Sequence, residues 1–124
     1  SVVVGFTGHR RLPPHAIPYI RSEIRKLLVE LKPTAAVCGG CWGADHIFAE
    51  VALELKIPLI VILPFPFRIY TSRWREDSRR RLKSILRRAR KVYFISRNFD
   101  ISAYIRRNLA IVKLSTHLIL PFSF

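Results

Sequence analysis

Two short stretches carry the residue types that could bind an anion or move a proton: Thr7-Gly8-His9-Arg10 and Gly39-Gly40-Cys41-Trp42-Gly43-Ala44-Asp45. Glycines let a backbone approach a phosphate because no Cβ stands in the way. A helix opening near Ala44 would turn unpaired N–H groups and a positive dipole end toward the same place. On pattern alone, a Gly-Gly-x-x-Gly turn serves equally well as a tight strand-to-helix connection. Thr7 offers a short hydroxyl, for a ligand or for its own turn. His9 offers an imidazole that titrates near neutrality, and Arg10 a guanidinium that grips phosphate through two parallel hydrogen bonds. Asp45, in the first turn of its helix, either stabilises the dipole or accepts a hydrogen bond from a ligand hydroxyl.

Two other patterns suggest different chemistry. Cys38-Gly39-Gly40-Cys41 is a C-x-x-C at a strand-to-helix junction, the spacing of a disulfide oxidoreductase. The alternating element order argues against that fold, and no second C-x-x-C or matching histidine spacing supports zinc, so no metal and no cofactor is expected. The second pattern is charge. The chain has 22 Lys and Arg against 8 Asp and Glu, a formal net charge of +14; sixteen of the 22 are arginine, eight of them between Arg73 and Arg90. A solvated helix face and a surface that tracks a nucleic-acid backbone both fit such a run.

The elements that position these residues follow from periodicity. Val2 to Phe6, Ala35 to Cys38, Leu59 to Leu63, Val92 to Ile95 and His117 to Phe122 are short apolar runs of the kind that become strands buried on both faces. Between them, apolar residues recur at helical spacing: Ile17, Ile20, Ile24, Leu27, Leu28 and Leu31; then Ala44, Ile47, Phe48, Val51, Ala52 and Leu55; then Leu82, Ile85, Leu86 and Ala89; and lastly Ile105, Leu109 and Val112. A loop is expected from Pro64 to about Thr71. Strict alternation of strand and helix predicts an α/β, Rossmann-like, doubly wound five-stranded parallel sheet with helices on both faces. In such a sheet ligands bind beyond the carboxyl ends of the strands, where both glycine loops fall.

Composition narrows the class. At 124 residues and 50% hydrophobic, the chain has the length of one domain, 1–124, and enough apolar surface for a core rather than disorder. Its longest uncharged apolar run, residues 57–67, is far short of a bilayer span and contains three prolines, so no membrane partner is expected. The first residues lack the pattern of a secretory signal, which points to the cytoplasm. The absence of Met implies that a processed, trimmed or engineered N-terminus is to be expected at Ser1.

Gly5-Phe6-Thr7-Gly8-His9-Arg10, Gly39-Gly40-Cys41-Trp42-Gly43-Ala44-Asp45 and Leu63-Pro64-Phe65, in this order on these elements, resemble the SLOG superfamily of Rossmann-like proteins, and within it the YpsA-like branch. The resemblance extends to Trp74, Tyr104, Arg107, Asn108 and Ser115. It implies a pocket for a nucleotide or nucleotide-derived ligand with phosphate against the glycine loop. Its site residues would be Thr7, Gly8, His9, Arg10, Gly39, Gly40, Gly43, Ala44, Asp45, Pro64, Arg107 and Asn108. A homo-oligomer is also implied, with Arg107 and Asn108 contacting ligand or the dimer partner. The Pro-Gly-Gly-x-Gly-Thr-x-x-Glu motif of the related LOG phosphoribohydrolases is absent, so no catalytic residue is assigned by match. The chain stops after its fifth strand, where such proteins continue through a further turn and helix, and either a trimmed C-terminus or a minimal version of the fold is expected.

Three functions are thus open: a nucleotide-binding protein acting as a sensor or in nucleotide processing; a nucleic-acid-binding module working through Arg73 to Arg90; and an N-glycosidic hydrolase of nucleoside monophosphates with Asp45 or His9 as acid/base. Tyr70 and Trp74 are candidates to stack on a base.

Overall fold

The computed structural model describes residues 1–8 and 11–120. His9 and Arg10 lie outside the described residues, as do the last four.

Five strands, β1 (Val3–Phe6), β2 (Ala35–Cys38), β3 (Leu59–Leu63), β4 (Lys91–Phe94) and β5 (His117–Ile119), form one parallel sheet in the order β4-β3-β2-β1-β5. Pairing is continuous across β1 and β2, where Val3 to Phe6 lie opposite Ala35 to Cys38, and across β1 and β5, where Gly5 lies opposite Leu118. The chain steps outward from β1 to β4 and then returns over the sheet to set β5 on the far side of β1. Right-handed crossovers therefore place the helices unequally. Helices α1 (Ile17–Leu31), α2 (Ala44–Glu54) and α4 (Glu76–Arg88) pack together on one face, and α5 (Ser102–Leu114) lies on the other against β1, β2 and β3.

The alternation of each strand divides its side chains between two cores. Val4, Phe6, Ala36, Cys38, Leu59, Val61 and Leu63 are buried with Ile20, Ile24, Leu28, Ile47, Phe48, Leu82 and Ile85 on the three-helix face. Only Val37, Ile62 and Ile111 are buried in the second cluster, under α5. Glu50 on α2 locks the first face further: it accepts two hydrogen bonds from Arg81 on α4, at 2.5 and 2.6 Å, and one from Arg21 on α1 at 3.1 Å. Burial opposes ionisation of Glu50, but the two arginines outweigh it and hold its carboxyl below the usual range.

The first four strands fall within a residue of the sequence-based reading, whereas β5, expected to reach Phe122, ends at Ile119, and positions 121 and 122 lie outside the described residues. The segment after β3 differs from that reading. Where a loop is expected, Phe67–Tyr70 forms a one-turn helix, α3, because Pro66 at φ −55° leads the chain into it and the Thr71 hydroxyl bonds the Phe67 carbonyl at 2.8 Å.

Candidate functional site

All five strands run the same way, so the loops after β1, β2 and β3 meet at one edge. The loop after β2 owes its path to two left-handed glycines, Gly40 at φ +73° and Gly43 at φ +97°, the latter opening α2. A Cβ on Gly40 would meet Leu63, Val61 and Leu82, so its open side faces the core. Gly8 is close-packed for a different reason: a Cβ there would meet the Phe6 ring and the Ala44 Cβ within 2.6 Å. Pro64 is buried, and its carbonyl accepts a hydrogen bond from the Ser96 amide at 3.0 Å, tying the loop after β3 to the one after β4.

Asp45 fastens the first two loops to each other. One carboxylate oxygen accepts the Gly8 amide at 3.1 Å and the other the Cys41 amide at 3.2 Å, and only 5% of the residue is exposed. Both backbone donors are thereby taken by the protein's own carboxylate. Burial is the main influence on this group: it raises the pKa from 3.8 to about 6, against the opposing pull of Arg107 and of these amides. His46, next along α2, is also buried. Its Nε2 donates to the Gly40 carbonyl at 3.0 Å, and burial lowers its pKa from 6.5 to about 4, so the ring is neutral.

Arg107 reaches the same place from the opposite face of the sheet. It is 7% exposed, donates from Nη1 to the Gly39 carbonyl at 2.8 Å and to the Tyr70 hydroxyl at 3.4 Å, and from Nε to the Asn108 side chain at 2.8 Å. A Cβ on Gly39 would lie 2.6 Å from the guanidinium, so the glycine makes the room in which Arg107 lies. Helix α5 approaches β1 equally closely: Ser115 lies where a Gly5 side chain would be, and its hydroxyl bonds the Ile111 carbonyl.

Two cavities abut here. The smaller, of about 100 Å3, is lined by Thr7, Gly8, Cys41, Asp45, Arg107, Asn108 and Ile111. The larger, of about 600 Å3, is walled by Trp42, Phe65, Tyr70, Trp74, Phe99 and Tyr104, with Ser72 and Arg73 at its polar side. Tyr70 and Trp74 meet edge to face with centroids 4.9 Å apart, and Phe65 and Tyr104 do so at 5.2 Å. Cys41 and Trp42 are neighbours in sequence, and Arg107 and Tyr70 are hydrogen-bonded, so the two hollows share a wall.

Five of the residues expected at a site, Thr7, Gly8, Asp45, Arg107 and Asn108, thus line one cavity. Gly39 adjoins it through Arg107. Gly40, Gly43, Ala44 and Pro64 shape the loops without lining either hollow, and His9 and Arg10 fall outside the described residues. Trp42, Phe65 and Phe99 add aromatic walls that are not among the expected site residues, and of the three only Phe65 lies in the aromatic-dense stretch from residue 65 to 74. Cys38 is buried in the core, where burial, with the nearby Asp45 charge, pushes its thiol far up. Among the described residues no cluster of His, Cys, Asp and Glu could hold a metal, and no helix is long and apolar enough to cross a membrane.

No family model matches the sequence, and no curated protein matches it either. The structure does find a counterpart: DNA processing protein A from Helicobacter pylori matches with a TM-score of 0.67 at 21% identity, over 97% of this chain and 53% of that one. The two share a fold. It is the α/β Rossmann-like fold, with a five-stranded parallel sheet here, that the alternation of strands and helices predicts. The chain spans about half the length of DNA processing protein A, whose structure is described for its single-stranded DNA binding mode.

Proposed function

We propose that this protein binds a nucleotide unit at the carboxyl edge of its sheet, with the base in the aromatic hollow and the sugar-phosphate toward Thr7, Arg107 and Asn108. The observation that carries the reading is the shared wall between the two cavities. Flat aromatic surfaces with an arginine beside them stack unpaired bases of any sequence, and a hydrogen-bonded polar niche next to them orients the rest of the ligand. The resemblance to the YpsA-like branch supports a small nucleotide derivative. The likeness in fold to a protein described as binding single-stranded DNA supports a unit within a strand. A double helix does not offer its base faces to such a hollow, so the strand form is unpaired.

The test uses a built-in probe. Trp42 and Trp74 are the only two tryptophans, and both line the larger hollow. Titration with nucleoside monophosphates and with short oligothymidylate should quench their fluorescence. Tyr104→Ala should weaken binding by about 1–3 kcal/mol, the range for a lost base–aromatic stack. Binding of a strand should fall with salt, and Arg73→Gln should flatten the log-log slope by about one unit. No quenching by any mononucleotide or oligonucleotide at about 50 mM salt would remove the proposal.

The arginine-rich helix is a second reading for nucleic acid. Arg79 and Arg80 on α4 pair with Glu76, and Arg81 with Glu50, whereas Arg87 and Arg88 make no ion pair among the described residues. Of the run, Arg73 alone lines the aromatic hollow. That residue is where a strand following α4 would enter.

A further inference from the structure

The amino edge of the sheet, at the far end of the strands from the two abutting cavities, carries a third hollow of about 480 Å3. The end of α2 gives it Leu53, the connection to β3 gives it Ile57 and Pro58, β3 itself gives it Leu59, and the connection from α4 to β4 gives it Ala89. The Arg90 amide donates to the Leu59 carbonyl at 2.8 Å and holds the two connections together. Lys56, Arg88 and Arg90 stand around this apolar floor, all exposed, and none of them is in an ion pair among the described residues. Glu54, the acid beside them in sequence, is bound by Arg21 at 3.2 Å on the α1 side.

Part of this charge has a local explanation, since a basic residue in the last turn, such as Arg88, suits the negative end of the α4 dipole. Arg90 lies past the helix, and Lys56 comes from another connection altogether, at φ +60°. The end of α4 adds a second kind of group. Ala89 leaves the helix in extended backbone without a capping N–H, so carbonyls of the last turn remain as acceptors. This uncapped end borders the hollow through Arg88 and Ala89, so apolar surface, cations and the carbonyl end of a helix lie within one span.

We propose that this groove docks an acidic peptide segment of a partner protein, with an apolar side chain on the floor, carboxylates on Lys56, Arg88 and Arg90, and backbone N–H groups toward the end of α4. A phosphodiester strand brings the charge, but its backbone has no N–H donor for those carbonyls. A second copy of this chain, at +14, brings charge of the wrong sign. Opposite charge steers such an encounter and fixes its register, and the buried apolar residue gives it specificity.

Fluorescence anisotropy of the full chain with labelled ten-residue peptides at about 50 mM salt tests this directly. One peptide intersperses Asp and Glu with Leu and Phe, a second has Ser in place of every apolar residue, and a third has Lys in place of every acid. The first should bind, the second should bind at least ten-fold more weakly, and the third should not bind. Lys56→Gly, which relieves the left-handed backbone while removing the cation, combined with Arg88→Gln and Arg90→Gln, should weaken the first peptide at least ten-fold. The same triple variant should keep its thermal midpoint and its tryptophan quenching by mononucleotide. Equal binding of the first two peptides would overturn the proposal, as would unchanged binding in the triple variant. So would an oligonucleotide that competes with the first peptide and loses its own affinity in the triple variant.

Discussion

The two faces of the sheet are built to different depths. On one, three helices cover β1, β2 and β3, Phe48 stacks on Phe6 with centroids 4.8 Å apart, and Glu50 ties α1, α2 and α4 together. On the other, α5 is the one helix among the described residues, and Val37, Ile62 and its own Ile111 are buried under it, while Ile101, Ile105, Leu109 and Val112 form an outward stripe at 48–75% exposure. The thick face supplies the fold's stability, and the thin face supplies the Arg107 that crosses the sheet's edge to the candidate site. A residue can be buried there without a deep core around it because Gly39 leaves room for it and its hydrogen bonds satisfy it.

The largest expected effect tests the thick face. Phe48→Ala should cost about 3–5 kcal/mol in urea unfolding, from lost transfer and the cavity left against Phe6. That is a large share of the roughly 5–15 kcal/mol that holds a domain together. A cost under about 1 kcal/mol would mean that the three-helix core is loosely packed and that the contrast between the faces is false.

The next effect is read through pH, because consecutive residues of α2 report on the two sides. Asp45 faces Arg107, and its native pKa is raised to about 6. The native state then binds more protons than the unfolded one between roughly pH 4 and 6, so this group's contribution improves on acidification. His46 packs beside Gly40 and Trp74, its native pKa is lowered to about 4, and its contribution is lost as pH falls from 6.5 toward 4. The two slopes oppose each other over one window. Relative to wild type, His46→Gln should gain about 2–3 kcal/mol between pH 7 and pH 4.5, and Asp45→Asn should lose stability over the same range. Urea midpoints at both pH values decide it, and parallel curves for all three proteins would show that neither group titrates anomalously.

The smallest effect tests the thin face. Leu109→Ala should change stability by no more than about 0.5 kcal/mol, as exposed substitutions do. A loss above 1 kcal/mol, dependent on protein concentration, would mean that the stripe is covered in solution.

Most of the architecture was legible in the residues. Apolar runs of four to six residues alternating with helical stripes allow few arrangements other than a parallel α/β sheet, since each parallel pair needs a crossover and the crossovers have one hand. That reasoning also brought Thr7, Gly8 and Asp45 to one edge. It left open whether Asp45 would cap a helix or meet a ligand, and the structure gives it a third task, bracing two loops through both carboxylate oxygens.

What sequence periodicity could not decide was which side of a helix is inside. Ile105, Leu109 and Val112 mark α5 as a helix, yet the sheet takes the side that carries Ala103, Arg107 and Ile111. A stripe of apolar residues records a period, and the period is the same whichever way the helix is turned. The turn was set by the sheet, where Gly5 and Gly39 lack the side chains that would hold α5 away. Ser115 and Arg107 fill those gaps, and with the helix so rotated a guanidinium is buried and four apolar side chains are left outside. The local sequence determined the elements and their order, because propensity and pattern act over a few residues. The burial of Arg107, the meeting of Asp45 with Gly8 and Arg107, and the shared wall of the two cavities were decided only by groups that lie far apart in the chain and meet in the folded protein.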